Sequence, residues 1–244
     1  MAIGIMSALV EEISYLLEKI EIRRKETFAE KSFYIGTIAK EEVILCHSGV
    51  GKVNAAMTTQ ILIDHFHVRS IMLTGTSGLL DTNLKTGDIV VSKDTVEHDV
   101  NFTHLGDKLG EIPGMSVYVY EANPLLKKIA LQAGKGMKGI KVVEGRILSG
   151  DQFIASEDAK LNLRERFQGT AVEAEGAAVG HVCYLNKVPF VIIRVISDEA
   201  DDTAPTDFRA HLEVVAVHSQ LLILRILKGI AALKSKKRIN NQSH

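Results

Sequence analysis

The feature that most constrains this chain is a repeated alternation of short, β-rich apolar runs with stretches of helical spacing. Residues 3–8, 70–74, 89–96, 140–149 and 189–197 read as buried strands, and residues 171–173 as a short one. Residues 33–39 and 43–47 read as a pair of strands around the polar turn Lys40-Glu41-Glu42. Helical patterns fall at residues 11–19, 53–65, 123–134, 157–166, 176–186 and 207–234. Pro124 sits in the first turn of one of them, where a missing N–H is harmless. Such alternation predicts an α/β fold, a mostly parallel or mixed sheet covered by helices; the expected architecture is three-layer, αβα, with a central mixed twisted sheet. No linker, internal repeat or low-complexity segment interrupts it. Residues 1–233 are therefore expected to form one domain, followed by a basic, polar, solvated tail at 234–244.

Composition narrows the function. With 244 residues, 46% of them hydrophobic, the chain can bury a full core. A net charge of −1 provides no field for nucleic acid or an anionic membrane. The apolar start, residues 1–10, lacks a basic leader and runs directly into Glu11 and Glu12, unlike a signal peptide. The longest apolar stretch, residues 221–233, is broken by Arg225 and Lys228 and reads as too short and too charged to span a bilayer. Cys46 and Cys183 form neither a disulfide framework nor a zinc site, so a reducing cytoplasm is the expected compartment. The nine histidines are scattered, without His-Glu-x-x-His spacing, and no metal or cofactor is expected.

Two glycine-rich segments imitate known motifs and fail. Ser48-Gly49-Val50-Gly51-Lys52-Val53 lacks the first glycine of a phosphate loop and the hydroxyl after its lysine. It also lacks the third glycine of a dinucleotide fingerprint. Gly75-Thr76-Ser77-Gly78 does not have the spacing of a nucleophile elbow. The segment at 99–115, with Gly106, Gly110, Pro113 and Gly114, reads as a long irregular loop, and loops of that length in compact domains are usually functional.

The chemistry concentrates in carboxylates at expected strand ends. Arg194-Val195-Ile196-Ser197-Asp198 delivers an acid at the end of an apolar strand, beside a hydroxyl and after a guanidinium. The same residues equally suit an aspartate that caps the next element. Glu173 and Glu175 lie two apart and share a face if the strand persists. One could then accept hydrogen bonds from a vicinal diol while the other pairs with a cation. Acids decorating a helix N-terminus would look the same, and so would Glu11-Glu12 in the first turn of the first helix. Open α/β sheets bind ligands at strand carboxyl ends, so the convergence of these clusters is what suggests one site.

Seven collinear segments resemble one family: IGIMSALVEEI, SGVGKVNAA, LTGTSGLL with LKTGDIVVS, HDVNFTHLG with IPGM, SGDQFI, AVEAEGAAVGHVC and VPFVIIRVISDEAD. They are similar to the 5′-methylthioadenosine/S-adenosylhomocysteine nucleosidases of the nucleoside phosphorylase superfamily. The resemblance implies a nucleoside phosphorylase-like fold and hydrolysis of an adenine N-glycosidic bond. It implies Asp198 as general acid at N7 of adenine, oriented by Ser197, and Glu12 as the group that activates water. Glu175 would bind the ribose hydroxyls, with Glu173 behind it. Phe153 would stack on adenine and the backbone of Ile154 would read its edge. Thr76, Ser77 and Gly78 would line the base and ribose. Leu9, Val50 and Phe208 would surround the 5′ substituent, and Phe102 and Leu105 would reach in from a second subunit of a homodimer.

The chain departs from the family at several places. Ala174 stands where a methionine is usual, Ser77 where alanine is usual and Leu79 where glycine is usual, while Gly176 and Gly180 replace larger small residues. These leave the preferred 5′ substituent open, aminofutalosine included. A phosphorylase of the same fold would need arginines aimed at phosphate. Its expected positions hold Ile71-Met72-Leu73 and Leu9-Val10-Glu11-Glu12 instead, which favours water. A non-catalytic nucleoside sensor is the remaining alternative; it could lose the acid or the base, and both are retained here.

Overall fold

A computed structural model describes the backbone of residues 1–242 and the side chains of residues 1–234. The elements run in the order β1 (Ile3–Ser7), α1 (Ser14–Lys19), β2 (Glu21–Phe28), β3 (Lys31–Ile38), β4 (Glu41–His47), α2 (Lys52–Asp64), β5 (Ser70–Leu79) and β6 (Ile89–Glu97). They continue with β7 (Val119–Glu121), α3 (Pro124–Gly134), β8 (Val142–Ser149), α4 (Glu157–Phe167), β9 (Ala171–Glu173), α5 (Gly176–Asn186), β10 (Phe190–Asp198) and α6 (Ala204–Gln242). All ten strands belong to one mixed sheet, ordered β10-β6-β8-β9-β5-β1-β4-β3-β2 with β7 on β6. Helices flank it, as the alternation predicted.

The sheet is not a simple open one. β10 pairs in parallel with β5 and antiparallel with β6. Strands β5, β9, β8, β6 and β10 therefore close on one another, and β1, β4, β3 and β2 extend from β5 as a wing. Closure explains why β5 is buried along its whole length and runs to Leu79 rather than stopping at Thr74. Pairing with β10 on one side and β9 on the other supplies ladder hydrogen bonds through Gly75-Thr76-Ser77-Gly78, which overrides the weak strand propensity of glycine.

Local signals set several boundaries. Asn123 caps α3 by accepting from the N–H groups of Leu125 and Leu126, both at 3.1 Å. Ser156 caps α4 in the same way through Ala159. Apolar residues of β1, β5 and β10 are fully buried at the centre of the main core. Residues 99–115 are irregular apart from a 3-10 turn at Thr103–Leu105.

Four expectations need correction. β2 was not anticipated, because Glu21–Phe28 is charged and mostly exposed; pairing with β3 makes it a strand, and its charges suit a sheet edge. β7 was also not anticipated, being only three residues long. The first helix begins at Ser14 rather than residue 11, so Glu12 lies in the turn before it. Finally, α6 starts at Ala204 and its backbone continues past Lys234 to Gln242, which places most of the expected tail in a helix, with only residues 243–244 outside the described residues.

By length and composition alone, Ala204–Lys234 of α6 would suffice to cross a membrane, with a mean hydropathy of 1.6 in its most apolar window. Many of its apolar residues are packed inside the protein, however, while Val214 and Leu233 are exposed. Leu222, Ile223, Ile226 and Leu227 are fully buried, in a helix packed on β10, β5 and α3.

Candidate active site

Strand ends and the loops after them enclose a cavity of about 410 Å³. β10 contributes Ser197 and Asp198, β9 contributes Val172 and Glu173, and β5 contributes Thr76, Ser77 and Gly78. Leu9 and Glu12 come from the turn after β1, Val50 and Gly51 from the turn before α2, and Phe153 and Ile154 from the loop after β8. Ala174 and Glu175 lie between β9 and α5, and Phe208 stands at the start of α6. Every residue that the sequence assigned to the site is here, except Phe102 and Leu105. Those two lie on the 99–115 loop, 42% and 76% exposed.

Glu12 is buried and fully engaged. Its Oε1 accepts the N–H of Thr76 at 2.8 Å and the Thr76 hydroxyl at 2.9 Å. Its Oε2 accepts the N–H groups of Leu9 at 3.0 Å and Ala8 at 3.2 Å. The late start of α1 makes this possible: as a first-turn helix acid, Glu12 would face its own helix rather than the turn after β1.

Asp198 is also buried. Ser197 Oγ donates to its Oδ2 at 2.7 Å, and the Ala200 N–H donates to Oδ1 at 3.1 Å. Burial raises the Asp198 pKa above the ordinary aspartate value; these two hydrogen bonds only partly offset it, and the nearby Asp207 and Asp201 push the same way. A carboxyl that keeps its proton above the ordinary range is suited to donate it.

Glu173 and Glu175 do not remain on one strand. β9 ends at Glu173, and Glu175 is the N-cap of α5. They converge nonetheless, because the fully buried Arg194 donates to both through Nη2, to Glu175 Oε2 at 2.9 Å. Glu173 also accepts from the Ser149 hydroxyl and from the Gly176 N–H at 2.9 Å. Glu175 Oε1 accepts the Gly51 N–H at 2.8 Å. Burial, reinforced by Glu173 and opposed by Arg194, raises the Glu175 pKa to about 7. The sequence had marked Arg194 as a cation preceding Asp198; its service to the two glutamates follows from pairing β10 against β5, which no spacing rule supplies.

Phe153 is 57% exposed at the cavity mouth and meets Phe208 edge to face, with centroids 5.7 Å apart. Ala174 is half-buried on the wall. The Ser77 hydroxyl is buried without a hydrogen-bond partner, and Leu79 belongs to the core rather than the cavity. Gly180 has a packing reason, since a Cβ there would lie 2.6 Å from Thr95 Oγ1. Gly51, whose amide holds Glu175, and Asp151, which accepts the Lys52 N–H at 2.7 Å, lie in segments the sequence singles out without an individual role, and Ala8, Gln152, Val172 and Arg194 join the lining as well.

The fold, and a cavity whose acids meet at strand ends, define a class of enzymes that act on glycosidic bonds of nucleosides. The family model of the phosphorylase superfamily matches residues 2–228. The chain belongs to that superfamily and, within it, to the 5′-methylthioadenosine/S-adenosylhomocysteine nucleosidases. It is 40% identical to such a nucleosidase of Geobacillus sp. (strain WCH70) over 231 residues, covering 94% of this chain and 99% of that one. It is similar to the crystal structure of the Neisseria meningitidis nucleosidase in complex with methylthio-immucillin-A, with a TM-score of 0.90 and 34% identity over 93% of this chain and 98% of that one. A native structure of futalosine hydrolase from Helicobacter pylori is similar too, with a TM-score of 0.88 and 34% identity over 93% of this chain and 97% of that one.

Proposed function

We propose that the protein hydrolyses the N-glycosidic bond of a 5′-substituted adenosine, releasing adenine and a 5-substituted ribose. The observation that carries this reading is the pairing of two differently prepared carboxylic acids in one cavity: Asp198, biased toward its protonated form, and Glu12, held by four donors. In the proposed reaction Asp198 protonates N7 as the bond to the sugar breaks. Glu12 orients the attacking water and takes its proton. Positioned acid and base groups typically contribute about 10²–10⁴-fold each.

Ser197 serves both states of the acid. Its Oγ lies 2.7 Å from Asp198 Oδ2 and 3.2 Å from the Ser77 carbonyl, but a hydroxyl has only one proton. With Asp198 ionised, that proton goes to the carboxylate. With Asp198 protonated, Ser197 donates to the carbonyl and accepts from the acid. Glu175 receives the ribose hydroxyls, and Glu173 with Arg194 holds it in place. Phe153 stacks on adenine, Ile154 reads its edge, and Leu9, Val50 and Phe208 surround the 5′ group.

The charge balance favours water over phosphate. Among the described residues lining the cavity Arg194 is the one cation, and its guanidinium is engaged by Glu173 and Glu175. Five acidic side chains, Glu12, Asp151, Glu173, Glu175 and Asp198, line the cavity against that one cation, an excess that suits a cationic, oxocarbenium-like sugar and repels a phosphate dianion. The exposed Phe102 and Leu105 are assigned to a homodimer, in which each loop covers the partner's 5′ pocket. The buried free thiols Cys46 and Cys183 agree with a reducing, cytoplasmic compartment.

The test is adenine release from 5′-methylthioadenosine, S-adenosylhomocysteine, 5′-deoxyadenosine and aminofutalosine, with and without phosphate. Release independent of phosphate and lost in Asp198→Asn and Glu12→Gln is expected. A requirement for phosphate would make the protein a phosphorylase, and binding without release would make it a sensor. The relative rates identify the 5′ group that the half-buried Ala174 and its neighbours accept.

A further inference from the structure

The Ser48–Lys52 segment imitates a phosphate loop, yet its lysine is committed elsewhere. Lys52 Nζ donates to Glu97 Oε2 at 2.9 Å and to Asp99 Oδ1 at 2.7 Å. Its own N–H donates to Asp151 Oδ1, and Asp99 Oδ2 accepts the Asp151 N–H at 3.0 Å. Glu97 Oε1 lies 3.0 Å from Nδ1 of His181, on α5. One ammonium thus joins the start of α2, the end of β6, the loop that carries Phe153, and the helix that Glu175 caps.

The link matters because α2 has no cap of its own. Gly51 is its N-cap and has no side chain to satisfy the first N–H groups. Partners from outside do so instead: Glu175 takes the Gly51 N–H and Asp151 takes the Lys52 N–H. We propose that Lys52 is a positioning residue for the ribose end of the site, holding the Gly51 amide on Glu175 by anchoring the α2 turn to Glu97, Asp99 and Asp151. This inference rests on the ribose role given to Glu175 above. The charges support one another. Burial opposes the ammonium, but Asp99 and Glu97 outweigh it and hold Lys52 above its ordinary value. Burial likewise opposes the ionised carboxylates, but His181 and Lys52 lower Glu97, and Lys52 with the Asp151 N–H lowers Asp99. A neutral side chain at position 52 would leave two carboxylates facing each other, and the turn would lose its anchor.

The experiment compares 5′-methylthioadenosine with its 2′,3′-dideoxy analogue in the full-length wild type, Lys52→Met, Lys52→Arg and Glu175→Gln. The preference for the hydroxylated sugar is expected to fall about tenfold in Lys52→Met, chiefly through KM, while turnover of the dideoxy analogue changes little. Lys52→Arg is expected to keep most of the preference. Equal slowing of both substrates in Lys52→Met, with the preference intact, would overturn the proposal, because general damage does not single out the hydroxyls. An unchanged preference in Glu175→Gln would overturn the ribose role itself, and with it this inference. If Lys52→Met fails to fold, Asp99→Asn removes one partner charge without changing shape; a reduced preference supports the proposal and an unchanged one defeats it.

Discussion

Glu12 and Thr76 are joined twice, through the amide N–H and the hydroxyl of Thr76, both donating to the same carboxylate oxygen of Glu12. The turn after β1 is thereby fixed to β5, and Oε1 is left in one orientation. In Thr76→Val the amide contact survives and the hydroxyl contact is lost. Loss of a hydrogen bond to a charged group predicts a fall in kcat of about tenfold, with KM little changed. Steady-state kinetics on adenine release checks it; a rise in KM alone would place Thr76 in substrate binding instead.

Asp198 makes a prediction about pH. Its pKa is raised by burial, so its protonated, donating form persists above the ordinary aspartate range and is lost as pH rises through the raised value. The profile of kcat/KM is therefore expected to have an alkaline limb above the ordinary aspartate pKa. Ser197→Ala removes a hydrogen bond that favours the ionised form, which should move that limb to higher pH. A shift to lower pH would assign the limb to another group.

Gly75 lies against the Arg194 guanidinium. A Cβ at this position would overlap Nη1 of Arg194 and sit 2.9 Å from Glu12 Oε1. Because Arg194 is held between Glu173 and Glu175, it cannot simply swing aside. Gly75→Ala is expected to destabilise the fold by about 3 kcal/mol, through disturbance of a buried ion pair, and to lower kcat. Urea unfolding measures the first effect and adenine release the second; a variant as stable as the wild type would mean that the arginine has room to move.

Leu105 tests the subunit arrangement. It is largely exposed in the single chain, so Leu105→Asp should leave folding intact. Light scattering is expected to find the wild type dimeric and the variant dissociated, with activity reduced through KM. An active wild-type monomer would remove Phe102 and Leu105 from the site.

Much of the site was legible because its acids interrupt apolar runs. Asp198 ends a strand that is buried throughout, and Glu173 ends β9 at the predicted boundary. Other features carried no such signal. β2 is a strand only because β3 offers it a partner, and its charged sequence gives no hint of that. The role of Arg194 depends on β10 lying against β5 and near β9, a relation between segments distant in the chain.

Alternation was thus enough to determine the α/β architecture and the strand-end acids to mark Asp198, Glu173 and Glu175, while the resemblance of the collinear segments supplied the family and the other residues expected around the cavity. The first two are properties of local periodicity and residue type and the third is a likeness between sequences, and the order of amino acids records all of them directly. Tertiary structure alone decided the closure of the sheet, the double use of Arg194, the late start of the first helix that turns Glu12 inward, and the Lys52 anchor beneath Glu175. Each arises from hydrogen bonding or burial between remote segments, and neither can be read before the strands choose their neighbours.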